Sequence, residues 1–128
     1  MRHLALPILV ALLATACVTG QAPSGEDRPL EFECADSVVI GTVVNGAYQP
    51  VVDESDLLGR GWVTASLHVR EVVRGASLPS ILPVRYFAHA YMREDREFMF
   101  VLQRRDAGYQ IATGRLMSSR PRLSDRCR

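Results

Sequence analysis

Apolar and polar residues alternate most regularly over residues 62–73. Val63, Ala65, Leu67 and Val69 form one set, and Thr64, Ser66, His68 and Arg70 the other. A period of two is that of a half-buried strand, so the first set is expected in a core and the second in solvent. Residues 37–44 (SVVIGTVV) are rich in β-branched side chains and read as an earlier strand. Gly41 inside that segment suggests a bulge or a tight bend. Asn45-Gly46 follows, a dipeptide that tolerates the positive φ of a type I′ turn, and it predicts a hairpin. The return strand is expected over residues 47–52, with Pro50 at an edge or a break. Residues 53–61 read as a loop with three acids, Gly59 and Gly61.

The second half continues the pattern. Gly75 ends the regular strand, and residues 76–80 make a turn or a short helix around Pro79. Over residues 83–91, Val84, Tyr86, Ala88 and Ala90 alternate with Arg85, Phe87, His89 and Tyr91. A polar turn at 93–96 precedes residues 97–103, whose continuous apolar run from Phe98 to Leu102 is typical of a strand buried on both sides. A turn at 106–108 leads to a last strand over 109–113, and the tail to Arg128 is polar apart from Leu116, Met117 and Leu123. Short strands with turn signals between them and no long helical pattern predict an all-β fold, a small five- to six-stranded OB-like barrel. Closure also removes the exposed sheet edges that a small domain must manage.

The N-terminus follows a different rule. Arg2 precedes an uncharged, mostly apolar run over residues 4–16, and small residues stand before Cys17. These are the parts of a secretory signal peptide. The run is shorter than the roughly 20 residues that span a bilayer, and it contains Pro7, so a retained membrane helix is not expected. Two processing routes fit. The region resembles the lipobox of bacterial lipoproteins, cut before Cys17 and lipidated on its sulfur, although Ala14 stands where an aliphatic residue, usually leucine, is found. Ala14-Thr15-Ala16 also satisfies the A-x-A pattern of ordinary signal peptidase, which would leave a soluble periplasmic or secreted chain. Val18 after the cysteine, where an aspartate would favour the inner membrane, points by the same resemblance to the outer membrane, facing the periplasm. The expected organisation is a leader at 1–16, a flexible Pro/Gly-containing tether at 17–30 and a single β-barrel domain at 31–128.

Cysteine count sharpens this. Cys17, Cys34 and Cys127 are three thiols in an exported chain, where disulfides persist. Lipidation of Cys17 accounts for the odd one and leaves Cys34 and Cys127 as a pair across the domain. Without CxxC or Cys/His spacing, no metal site is expected. Once Arg2 leaves with the leader, 14 arginines face 14 acids, so a general nucleic-acid binder is not expected. No cofactor motif, G-x-S-x-G or H-E-x-x-H occurs. His68, with Ser66 two residues away on the same face, and His89 are the histidines outside the leader. They read as surface residues, and no enzyme is expected. His68, Arg70 and Arg85 are the candidate ligand-binding residues of a barrel face, and an envelope protein or glycan is the expected partner besides the membrane.

Residues 34–43 (CADSVVIGTV) resemble the opening strand of netrin-like, tissue-inhibitor-of-metalloproteinase-like barrels. Residues 69–75 (VREVVRG) are similar to a strand ending in the second half of those domains, and Phe98 to Leu102 followed by Asp106 to Gly108 are similar to their apolar strand and turn. The resemblance covers residues 34–113 and implies a five-stranded OB architecture. It also suggests an alternative function, a soluble periplasmic protease inhibitor. The family's zinc-chelating Cys-x-Cys wedge at the mature N-terminus is not matched, because Cys34 lies well inside the chain and is flanked by Glu33 and Ala35.

Overall fold

The computed structural model describes residues 27–128. The leader, Cys17 and most of the tether expected from the sequence lie outside these residues. Five strands follow in order: β1 (Ser37–Pro50), β2 (Gly61–Arg74), β3 (Ile81–Ala88), β4 (Phe98–Arg105) and β5 (Gly108–Leu116), then a 3-10 turn at Met117–Ser119. They close into a barrel in the ring order β1-β2-β3-β5-β4. All seams are antiparallel except β3–β5, which is parallel and rests on two residue pairs, Val84 with Tyr109 and Arg85 with Gln110. The all-β, OB-like barrel expected from the alternation is the fold observed.

The strand patterns explain the core. Val63, Ala65 and Leu67 of β2 point inward and meet Val84 and Tyr86 of β3, Val39 and Val43 of β1, and Phe100 and Leu102 of β4. Each fully buried Val, Leu or Phe of this set contributes about 1.5–3 kcal/mol of transfer free energy. The apolar run of β4 is buried on both faces, as its continuity predicts. Phe100 and Leu102 fill the barrel, while Met99 and Val101 enter a second cluster outside it with Val38, Ile40, Leu30 and Phe32.

The chain ends cover that outer cluster. Leu30 and Leu123 form a parallel bridge, extended by hydrogen bonds from Leu30 N to Arg122 O, Ser124 N to Leu30 O and Arg128 N to Phe32 O. The Cys34–Cys127 disulfide closes this clasp. The sequence pairing of these cysteines is therefore the one observed, and it joins the two terminal segments that pack over the outer cluster.

One local expectation is overturned. Asn45-Gly46 does not form a hairpin; β1 runs on through both residues to Pro50. Neither has a positive φ, so a type I′ turn is absent. The ladder with β2 instead slips between Asn45 and Tyr48. Asn45 is held in the strand by long-range bonds: its Nδ2 donates to Met92 O at 2.8 Å, its backbone N–H to Glu94 Oε1 at 2.6 Å, and its Oδ1 accepts from the Tyr86 hydroxyl. Gly46 lies close against β2, where an added Cβ would meet Thr64 O at 2.9 Å. Tertiary partners therefore outweigh the local turn preference, and the reversal comes later, in the loop 51–60. Gly41 does mark a bulge: the register slips between Ile40 and Gly41, and a Cβ there would lie 2.2 Å from His68 O.

Candidate binding surface

The loop 51–60 is stiff although it is exposed. Its base is closed by Val51 N donating to Arg60 O. Asp53 accepts from the Ser55 hydroxyl at 2.6 Å and the Ser55 N–H at 2.9 Å, which together hold its carboxyl below the usual range. Asp56 accepts from Arg60 Nε at 2.8 Å and from the backbone of Arg60 and Leu58; its pKa is lowered, chiefly by the Arg60 side chain. Gly59 takes a φ of 65°, and the Tyr48 hydroxyl donates to its carbonyl. The polar side chains are thus turned onto the loop's own backbone. Its apolar ones are left outside: Val52 is 95%, Leu57 96% and Leu58 68% exposed.

This end of the barrel gathers further apolar surface. Among the described residues, six of the eight large exposed hydrophobic side chains are Val51, Val52, Leu57, Leu58, Phe87 and Tyr91; the other two, Val44 and Ile81, lie elsewhere. Arg60 sits over Phe87 at 5.5 Å, Phe87 packs on Trp62 at 5.1 Å, and Arg85 covers Trp62 at 4.4 Å. The strand register makes this stack possible, since Trp62 pairs with Phe87 and Thr64 with Arg85 on the outer face of β2–β3. On the other side of the loop, Tyr48 and Tyr91 meet edge to face at 6.4 Å and, with His89 and Ala90, line a pocket of about 240 Å³.

A part-buried polar knot around Tyr86 fixes this end. Tyr86 is 1% exposed, and its hydroxyl donates to Asn45 Oδ1 and accepts from Met92 N at 2.9 Å. Burial pushes its phenol pKa up. The knot ties the β3–β4 connection (residues 89–97) to β1.

The residues singled out in the sequence take different places. Arg85 joins the aromatic stack. His68 shares the β2–β3 outer face with Arg85 but pairs with Ile81, four residues before it in β3. Arg70 is turned away and forms a bidentate pair with Glu97, at 2.6 and 3.0 Å. The structure does not bring the three together. His89 lies beyond the end of β3, whereas His68 is opposite its start, so the two histidines are also apart. Among the described residues no cluster of His, Cys, Asp and Glu could hold a metal ion. Sequence reasoning missed Val52, Leu57 and Leu58, which sit among acids and glycines; two leucines inside an otherwise polar turn were the available signal. No family model, curated protein or solved structure matches this chain.

Proposed function

We propose that this chain is an exported envelope protein, anchored through lipid on Cys17, whose barrel is a non-catalytic module that binds another envelope protein. The observation that carries the binding reading is the concentration of exposed apolar side chains on and around the stiff loop 51–60. Contiguous apolar surface rimmed by polar groups marks interaction sites. Asp53, Glu54 and Asp56 against Arg60 make the loop acidic, which disfavours docking on anionic lipid. Trp62 is already packed by Phe87 and Arg85, which disfavours a sugar stacking on it. A protein surface is the remaining partner of the right chemistry.

Export is supported by the leader pattern and by the Cys34–Cys127 bond, since disulfides persist in oxidising compartments. The tether would join the domain at the clasp, which packs on Val38 and Ile40 near the start of β1, whereas the loop 51–60 follows the far end of that strand at Pro50. An outer-membrane tether would therefore leave the apolar loop accessible to a periplasmic partner. The same stiff loop also favours a second reading, in which a soluble periplasmic inhibitor of the netrin-like type enters a protease cleft.

Metabolic labelling with a fatty-acid probe tests the anchor: label on the wild type that is lost in Cys17→Ala supports it, and an unlabelled wild type sinks it. Pull-down from the envelope tests the binding surface. A partner retained by the wild type and lost in Leu57→Asp/Leu58→Asp supports it, and equal retention by both contradicts it. A protease as that partner promotes the inhibitor reading.

A further inference from the structure

Arg85 differs from Arg60, Arg70 and Arg93. Arg60 is paired with Asp56, Arg70 with Glu97 and Arg93 with Asp95. Arg85 has no carboxylate partner among the described residues. It is instead held over the Trp62 ring at 4.4 Å. A guanidinium fixed by stacking loses less freedom when it takes a ligand than one that sweeps through solvent.

Arg85 also lines a pocket of about 220 Å³ with Thr64, Pro83, Val84, Ala107 and Tyr109. The pocket lies beside the short β3–β5 seam, where Val84 pairs with Tyr109 and Arg85 with Gln110. Its walls are mostly apolar, and its charged group is a cation; Asp106, next to Ala107, is not among the lining residues. Pockets for whole small molecules run from about 300 Å³ upward, so this volume suits one side chain.

We infer that this pocket is a carboxylate site, which takes an aspartate or glutamate side chain from an extended segment of the partner protein. The stem of that side chain meets Pro83, Ala107 and Tyr109, and its carboxylate meets Arg85. The stack from Arg60 through Phe87 and Trp62 leads from the apolar loop to the pocket, so one partner segment can engage both. The inference rests on reading this surface as protein-binding.

Trp62 is the single tryptophan of the chain, so its fluorescence reports on the Arg85 stack without a label. The full exported chain, extracted from the envelope in mild detergent, is titrated with acetyl-Gly-Leu-Glu-amide, with the glutamine counterpart and with inorganic phosphate. A saturable change is expected with the glutamate peptide. Binding about tenfold weaker is expected for the glutamine peptide, and for the glutamate peptide on Arg85→Gln. Equal binding of both peptides, or Arg85→Gln binding like the wild type with an unchanged thermal transition, would overturn the inference. Phosphate saturating the same change as strongly would overturn it too, in favour of a general anion site. No partner protein enters the titration, so it can fail while loop-dependent capture succeeds, and the reverse.

Discussion

Tyr86 shows how much one side chain can hold. Its ring fills the barrel beside Val63 and Val84, and its hydroxyl joins β1 to the 89–97 connection through Asn45 and Met92. Tyr86→Phe keeps the ring and leaves two part-buried partners without it, at an expected cost of about 1 kcal/mol in denaturant unfolding. The pH dependence follows from burial. The folded phenol keeps its proton to higher pH than the unfolded one. The unfolded chain therefore ionises first, and stability falls as pH rises past about 10. Tyr86→Phe should lack that component, which parallel alkaline titrations of stability would reveal. At this scale the sequence was readable in part. The alternation Val84, Tyr86 placed the ring inside, but nothing local said that its hydroxyl would meet Asn45, 41 residues away.

Among the elements, strands were legible and the first reversal was not. The alternation of β2 and the unbroken apolar run of β4 each encode which faces are covered, and both meanings held in the barrel. Asn45-Gly46 failed because a turn dipeptide expresses only a local preference. Here Met92 and Glu94 draw Asn45 into the strand, and Thr64 crowds Gly46. Without those partners in view, the sequence pattern places Val51 and Val52 in a strand and starts the loop at residue 53, whereas β1 ends at Pro50. The loop has a testable chemistry of its own. Its Asp53 and Asp56 carboxyls are held below their usual range by Ser55 and Arg60 respectively. Folded-state pKa values that are depressed stabilise the loop above the unfolded carboxylate range, and that contribution is lost as pH falls through the lowered values. Proteolytic nicking at Leu57-Leu58 should accordingly be slow near neutral pH and rise selectively in acid, before the barrel unfolds. Nicking equally fast at both pH values would mean that these bonds do not order the loop.

For the whole molecule, the disulfide and the clasp do the work of a covering element. The barrel leaves Val38, Ile40, Met99 and Val101 facing outward, and Leu30, Phe32 and Leu123 cover them. Cys34 and Cys127 are 93 residues apart in sequence, so their bond restricts a long loop in the unfolded chain. Cys34→Ser/Cys127→Ser is expected to lose about 2–5 kcal/mol, with the terminal segments released earlier in hydrogen exchange than the strands. Uniform exchange along the chain would argue that clasp and barrel open as one unit. Cysteine arithmetic made this pair readable from the sequence. The covered outer face was hinted at only by the apolar run of β4.

The central claim is that the loop 51–60 is where this molecule meets a protein. A photo-crosslinking amino acid placed at Leu57 in intact cells tests it most directly, with the same group at the exposed Glu71 as the control. The account expects a discrete protein adduct from position 57 that is absent from position 71. Lipid adducts alone at position 57, or the same adducts at both positions, would contradict it.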